Sequence, residues 1–199
     1  MKKIPTIFVR DWDGTIGPPA RFVLDEHHPD CEWVFAGEGV ATRKYDGTCV
    51  MIRDKKRFKR LEVRGDKTPP VDFEEVQLDE ETGKRVGWVP VGDGPEDKWH
   101  REAVFFRVPK DSDWDLGKDG TYELVGPKIQ GNSENYERLC LIRHDTWATD
   151  TYVDAPTDYD ALKAWLAERD IEGLVWHHPD GRMGKIKGKD FGLKRGSRK

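Results

Sequence analysis

Cysteine is scarce in this 199-residue chain, and the three that occur lie far apart. Cys31, Cys49 and Cys140 are odd in number, and none belongs to a CxxC pair. This pattern indicates neither a disulfide framework nor a thiolate zinc site. The three thiols are therefore expected to be reduced side chains that pack in the fold.

Long apolar runs are also missing. No uncharged run approaches the roughly 20 residues that span a bilayer. The first residues, MKKIPTIFVRD, are interrupted by Pro5 and closed by Arg10 and Asp11, so they lack a signal-peptide core. We therefore expect a cytosolic (cytoplasmic) protein with no membrane partner. A monomer is expected as well.

Charge is abundant but unevenly distributed along the chain. The whole chain has a net charge of −4. Residues 182–199, here called the basic tail, contain eight Lys or Arg and one Asp, so they carry +7 and the remainder carries −11. Such a tail is either a solvated chain end or a phosphate-binding surface, and composition leaves both open.

Strand patterns dominate the middle of the chain, and one segment has a helical pattern. Residues 34–54 carry β-branched and aromatic residues on both sides of an Asp-Gly pair, which predicts two strands joined by a tight turn. Residues 65–98 are expected to form an irregular surface insertion with a short strand at 87–91. A helix is predicted from the capping residue Thr157 to about Asp170. Further strands are expected at 103–108, 121–125, 138–143 and 171–178, and another within GKIKGKDFGLK at 184–194.

One short motif, DWDGT at Asp11–Thr15, follows the apolar segment TIFV. It matches DxDGT and so resembles the haloacid-dehalogenase-type phosphatases, in which the first Asp attacks phosphorus. That family also needs a parallel sheet and a later acidic pair, whereas this sequence has neither an alternating βαβ pattern nor such a pair. The alternative interpretation is a structural Asp-Gly turn.

Four other motifs occur in a fixed order over 144 of the 199 residues. KYDG at Lys44–Gly47 matches KxDG, the nucleophile motif of the covalent nucleotidyltransferases, which include ATP-dependent ligases and capping enzymes. TYELVG at Thr121–Gly126 and EGLVW at Glu172–Trp176 match the third and fourth motifs of that family, and KIK at Lys185–Lys187 matches the fifth. The sequence segments KYDGTC and GPKIQGN and the GWVPV insertion are most similar to those of the small 5′-to-3′ RNA ligases.

This resemblance implies an α+β fold, a single nucleotidyltransferase domain over residues 1–199 whose mostly antiparallel sheets enclose an ATP groove. No separate OB-fold domain is expected, since only a dozen residues follow the fifth motif. The implied activity is that of an ATP-dependent RNA ligase of RNA repair, which joins 5′-phosphate and 3′-hydroxyl RNA ends through a lysyl-adenylate and an RNA-adenylate. ATP is then a substrate, and Mg²⁺ or Mn²⁺ the cofactor.

Lys44 is the expected nucleophile. An ordinary lysine has a pKa near 10.4, so the amine needs neighbours that favour its neutral form before it can attack. Period-2 geometry places Lys185 and Lys187 on one face of a strand. These two cations would disfavour a third ammonium and would also neutralise a bound triphosphate.

The resemblance also suggests roles for several acidic and basic side chains. Glu172 is the expected metal ligand, and Asp46 either binds the metal or shapes the turn. Glu123 corresponds to the glutamate that accepts a hydrogen bond from the ribose. Many family members carry an Arg where this chain has Cys49, so Arg64 is the candidate for ribose recognition.

Three further possibilities concern substrate contacts and the choice of function. Thr42, two residues before the nucleophile, is expected to contact the adenine edge. Polynucleotide contacts in the basic tail, as opposed to a disordered end, are expected from Lys189, Lys194, Arg195 and Arg198. A phosphatase that uses Asp11 and a non-catalytic RNA-binding module remain as alternative functions.

Overall fold

The computed structural model describes residues 2–80, 82–106, 118–144 and 150–195. These residues form a mixed α+β fold, as expected, with twelve strands and three short α-helices. The strands are β1 (Phe8–Arg10), β2 (Val23–His27), β3 (Val40–Lys44), β4 (Thr48–Arg53), β5 (Lys56–Val63), β6 (Glu74–Asp79), β7 (Lys84–Pro90), β8 (Val104–Phe105), β9 (Gly120–Val125), β10 (Cys140–Arg143), β11 (Gly173–His177) and β12 (Met183–Lys187). The helices are α1 (Glu32–Phe35), α2 (Lys98–Glu102) and α3 (Tyr159–Ala167). Within the described residues, no helix is both long and apolar enough to cross a membrane.

The chain divides into two compact units. The first, here called the Lys44 unit, consists of Ile4–Tyr45 and Trp147–Lys199. The second, here called the Glu123 unit, consists of Met1–Lys3 and Asp46–Thr146. The division therefore falls inside the KYDG motif, between its second and third residues.

The Lys44 unit contains a three-stranded antiparallel sheet in the order β12-β11-β3. Alternation along β12 buries Ile186 completely and leaves Lys185 and Lys187 partly exposed on the other face, as the sequence predicted. Leu162 and Leu166 of α3 lie in the same apolar core as Ile186. A separate two-stranded antiparallel sheet is formed by β1 and β2.

The Glu123 unit contains a seven-stranded mixed sheet in the order β6-β7-β5-β4-β9-β10-β8. Its neighbouring strands are antiparallel, except that β8 and β10 are parallel. A second apolar core forms beneath its central strands, where Val50, Tyr122, Leu124 and Leu141 are buried. Residues of β4 and β9, the strands that carry Cys49 and Glu123, are therefore part of this core.

The structure corrects the expected conformation around the Asp-Gly pair. Strands β3 and β4 both form, but they do not pair as a hairpin, because β3 pairs with β11 and β4 pairs with β5 and β9. Residues 34 and 35 belong to α1, whose Trp33 and Val34 are buried in the core of the Lys44 unit. Long-range pairing has overridden the local hairpin signal.

Two other expectations were wrong in detail. Residues 65–98 are not an irregular insertion, since they contain the paired strands β6 and β7. Strand β6 lies at the edge of its sheet and is largely exposed, so it needs no apolar face and gave no apolar alternation. Helix α3 is capped by Asp158, whose side chain accepts a hydrogen bond from the Ala161 amide, rather than by Thr157. It ends at Ala167.

Gly47 of KYDG is required by a close approach of two strands. A Cβ at this position would lie 2.2 Å from the Leu124 carbonyl oxygen of β9. We expect Gly47→Ala to lower the unfolding free energy by about 1–3 kcal/mol, the usual cost of overpacking. Thermal and urea unfolding would measure it.

Gly92→Ala is the matched control, because Gly92 lies in the same unit and its added Cβ would meet only Asp97 Oδ2 at 3.6 Å. Equal stability of the two variants would contradict a steric role for Gly47.

Candidate functional site

Three strand ends of the Lys44 unit bring two lysines and one glutamate together. Lys44 is the last residue of β3 and Lys187 the last of β12, and Gly173 of the central strand is paired with both. Glu172 directly precedes Gly173. Its Oε2 lies 2.5 Å from Lys44 Nζ and its Oε1 lies 2.5 Å from Lys187 Nζ. One carboxylate thus bridges two ammonium groups.

Close packing at Gly173 holds the bridge in place. A Cβ on Gly173 would lie 2.0 Å from the Ile186 carbonyl oxygen and 2.7 Å from the Lys187 Cα. Only glycine therefore lets β11 approach β12 this closely, and the approach sets the position of Glu172 beside Lys187. The Gly188 amide also donates to the Glu172 carbonyl, which fixes the backbone on the other side.

The bridge is a largely buried group of charges. The side chains of Lys44, Glu172 and Lys187 are 19 %, 11 % and 20 % exposed. Burial raises the pKa of Glu172, but Coulomb attraction from Lys44 and Lys187 outweighs it and leaves that pKa below its usual value. Glu172 is therefore ionised at neutral pH. Lys44 must lose its proton before its amine can act as a nucleophile.

The other predicted residues of this unit flank the bridge. Lys185 lies on the same face of β12 as Lys187. Thr42 is paired with Val175 across β3 and β11, and its hydroxyl donates to the Val175 carbonyl at 3.2 Å. The same hydroxyl lies 3.0 Å from Nε2 of His177. Thr42 therefore already has partners within the sheet.

The remaining predicted residues belong to the Glu123 unit. The Asp46 amide donates to Glu134 Oε1, and Asp46 Oδ2 accepts from the Ser133 hydroxyl, both at 2.9 Å. These contacts favour the turn-shaping interpretation of Asp46. Arg64 is an exposed residue directly after β5.

Glu123 has neighbours that the sequence did not reveal. Cys49 is paired with it across β4 and β9, and His144 follows the adjacent strand β10. His144 Nε2 lies 3.0 Å from Glu123 Oε2, and its Nδ1 lies 3.0 Å from the Thr121 hydroxyl. The ligand atoms of Cys49, Glu123 and His144 all lie within 4.8 Å of one another. A thiol, an imidazole and one carboxylate are not the all-oxygen set that Mg²⁺ prefers.

Asp11 of the DWDGT motif is a buried hydrogen-bond acceptor. Its side chain belongs to a residue only 1 % exposed, and it accepts from the Thr15 amide, the Thr15 hydroxyl and the Ile16 amide at 2.8–3.0 Å. The hydrogen bond from the Ile16 amide has the largest effect on the pKa of Asp11. Together with the hydrogen bonds from Thr15 it outweighs the effect of burial, so the pKa of Asp11 is lowered. Both carboxylate oxygens thus hold the loop that follows β1.

The basic tail is folded as far as residue 195. After β12, residues Gly188–Phe191 form a turn of 3₁₀ helix. Lys189 lies within it, and the Arg195 guanidinium is 3.2 Å from the Asp170 carboxylate. Arg198 lies outside the described residues. The described part of the tail is therefore not a disordered end.

A scan against models of protein families finds no match for this chain, and a search of curated proteins also finds none.

Proposed function

We propose that this chain is an ATP-dependent RNA ligase with a nucleotidyltransferase fold, in which Lys44 is the nucleophile. The supporting observation is the bridge between Lys44, Glu172 and Lys187. The first, fourth and fifth sequence motifs are more than a hundred residues apart at their extremes, yet they supply the three members of one charge cluster. A chance match to KxDG would have no reason to meet the other two motifs.

The proposed chemistry has three displacements. The Lys44 ammonium first loses a proton to solvent, and its Nζ lone pair then attacks the α-phosphorus of ATP. A P–N bond forms, the bond to the β-phosphate breaks as pyrophosphate leaves with its electrons, and the nitrogen gives up a second proton. A 5′-phosphate oxygen of RNA then attacks the same phosphorus and releases the lysine. Finally, a 3′-hydroxyl attacks the RNA phosphorus, loses its proton, and displaces AMP. Lys185 and Lys187 stabilise the charge on the phosphates.

Glu172 is the acidic side chain of the cluster that would hold the expected divalent cation. Its carboxylate is ionised, and both of its oxygens are paired with lysine ammonium groups, so a metal ion would have to replace at least one of these ion pairs. Mg²⁺ takes oxygen ligands and is commonly bound by one or two carboxylates together with substrate phosphates. When bound, such an ion would supply charge neutralisation of the phosphates. One oxygen of Asp46 accepts from the Ser133 hydroxyl, and Asp46 belongs to the other unit of the chain.

Labelled ATP tests the proposal directly. Incubation with α-labelled ATP and Mg²⁺, followed by denaturing electrophoresis, is expected to give a labelled protein band, whereas γ-labelled ATP is expected to give none. Addition of nicked, hairpin or single-stranded RNA with 5′-phosphate and 3′-hydroxyl ends should discharge the label and give sealed product. DNA versions of the same substrates measure the preference for RNA. A non-catalytic RNA-binding module would take up no label.

The phosphatase alternative receives less support. That family requires its nucleophilic Asp at the end of a strand in a parallel sheet, whereas β1 belongs to a two-stranded antiparallel sheet. Asp11 is also buried and occupied by three donors. We expect Asp11→Asn to retain ATP labelling and to unfold at a lower temperature, because an amide nitrogen cannot accept these hydrogen bonds.

The stability difference between wild type and Asp11→Asn should depend on pH. The pKa of Asp11 is lowered in the folded state, so its contribution is complete above the unfolded pKa of about 3.9. It is lost as the pH falls through the folded-state pKa. Thermal unfolding from pH 7 to pH 3 should therefore show the two melting temperatures converging at the acid end. A phosphatase activity that disappears in Asp11→Asn would contradict this assignment.

A further inference from the structure

A basic cavity lies in the Lys44 unit beside the charge bridge. Its volume is about 850 Å³, within the range of small-ligand sites. Among the described residues, twelve line it: seven are Lys or Arg, and Asp190 is the single acidic one. In a chain with a net charge of −4, this concentration of positive charge indicates a site for an anion.

The loop that carries DWDGT supplies one wall of the cavity. Arg10 ends β1 and Arg21 lies near the end of the loop, two residues before β2, and both line the cavity. Two backbone hydrogen bonds close the base of this loop: the Asp11 amide donates to the Phe22 carbonyl, and the Ala20 amide donates to the Asp11 carbonyl. The motif thus reverses the direction of the chain, so that Arg10 and Arg21 line the same cavity.

Arg10 is held in position before any ligand arrives. Its Nη2 is 3.3 Å from Asp190 Oδ1, and its Nη1 donates to the carbonyls of Ala20 and Arg21. Asp190 is buried, and its Oδ2 also accepts from the Lys187 amide at 2.9 Å. Asp190 therefore orients its neighbours in the cavity. Such a fixed guanidinium suits the oxygens of a phosphate.

Strand β12 and the turn after it also line the cavity, and one of their lysines belongs to the charge bridge. Lys185, Lys187 and Lys189 line the cavity, and Lys187 is the residue that shares Glu172 with Lys44. An anion in the cavity would therefore lie one ion pair away from the amine that carries AMP in the proposed reaction. The second displacement needs a phosphate oxygen at this place.

We propose that the cavity binds the terminal 5′-phosphate of the RNA strand that accepts AMP, with Arg10, Arg21 and Lys189 as phosphate ligands. This proposal rests on the ligase function for the identity of the strand. A terminal phosphate carries nearly two negative charges at neutral pH, whereas a backbone phosphate carries one. The density of cations at one point thus favours an end over a continuous backbone. The triphosphate of ATP shares this chemistry and must be distinguished by experiment.

Binding without ATP or Mg²⁺ tests the cavity separately from the reaction. We compare a fluorescent oligoribonucleotide bearing a 5′-phosphate with the same oligonucleotide bearing a 5′-hydroxyl, by anisotropy at one fixed salt concentration. The wild type should bind the 5′-phosphorylated form about tenfold or more tightly, as expected for charge-assisted hydrogen bonds. Arg21→Ala/Lys189→Ala should lose this preference while its affinity for the 5′-hydroxyl form changes little. Both residues are exposed, so this variant should fold.

Lys67→Ala/Lys84→Ala is the charge-matched control, since both lysines are exposed and neither lines the cavity. It should keep the preference. The proposal is overturned if the wild type shows no preference, if Arg21→Ala/Lys189→Ala weakens both oligonucleotides equally, or if that variant loses ATP binding while keeping the preference. A wild type that prefers the 5′-phosphate but never labels with ATP would refute the ligase function and leave the cavity assignment standing.

Discussion

Lys44→Arg is expected to abolish labelling by α-labelled ATP. Arginine retains a positive charge that can pair with Glu172, but a guanidinium does not lose its proton in a protein and so offers no lone pair for attack. Lys44→Ala should be equally inactive because it removes the amine altogether. Denaturing electrophoresis after incubation with the labelled nucleotide measures both.

Folding is checked separately from chemistry in these variants. In Lys44→Arg, a guanidinium replaces the ammonium as the partner of Glu172. In Lys44→Ala, Glu172 keeps its ion pair with Lys187, at 2.5 Å. Both variants should therefore unfold cooperatively. Lys163→Ala, on α3 of the same unit, is the control and should label as the wild type does. A band of normal intensity in Lys44→Arg would eliminate Lys44 as the nucleophile.

Local patterns predicted the strands of the site well. Alternation is a property of neighbouring residues, so it predicted that Lys185 and Lys187 share a face of β12 opposite the buried Ile186. The strands at β9, β10 and β11 were expected for the same reason, and the structure contains them with ends shifted by one to a few residues.

Pairing between distant segments could not be read from local patterns. The Asp-Gly pair after Lys44 predicted a hairpin, but β3 pairs with β11, which lies more than a hundred residues later. The position of Glu172 between Lys44 and Lys187 depends on that register. The order of the motifs suggested that Lys44, Glu172 and Lys187 act together. Their ion pairs, however, depend on the pairing of the three strands, which local sequence patterns do not reveal.

Two groups of residues had no signal in the sequence. His144 meets Glu123 because the antiparallel register of β9 and β10 brings it opposite Thr121. Arg10 and Arg21 share a cavity with the basic tail because Asp11 folds the intervening loop. The first group depends on the pairing of two strands. The second depends on the conformation of an irregular loop.

Glu172→Gln is expected to reduce adenylate formation about 10–100-fold or more, since loss of a group that only orients a metal ligand already costs about 10–100-fold. Glutamine keeps the size of the side chain but has no charge, so it neither bridges Lys44 and Lys187 nor binds a divalent cation strongly. The labelling rate is measured over a Mg²⁺ titration, and the variant should need more Mg²⁺ to reach its reduced maximum.

The titration separates a site at Glu172 from a general loss of acidic charge. Glu168→Gln is the matched control, because Glu168 is 80 % exposed at the end of α3 in the same unit. It should label with the wild-type rate and the wild-type Mg²⁺ dependence. If Glu172→Gln lowered the rate with no change in Mg²⁺ dependence, Glu172 would act only by positioning the two lysines. If it labelled as the wild type does, the bridge would be structural, and Glu172 would have no part in adenylate formation.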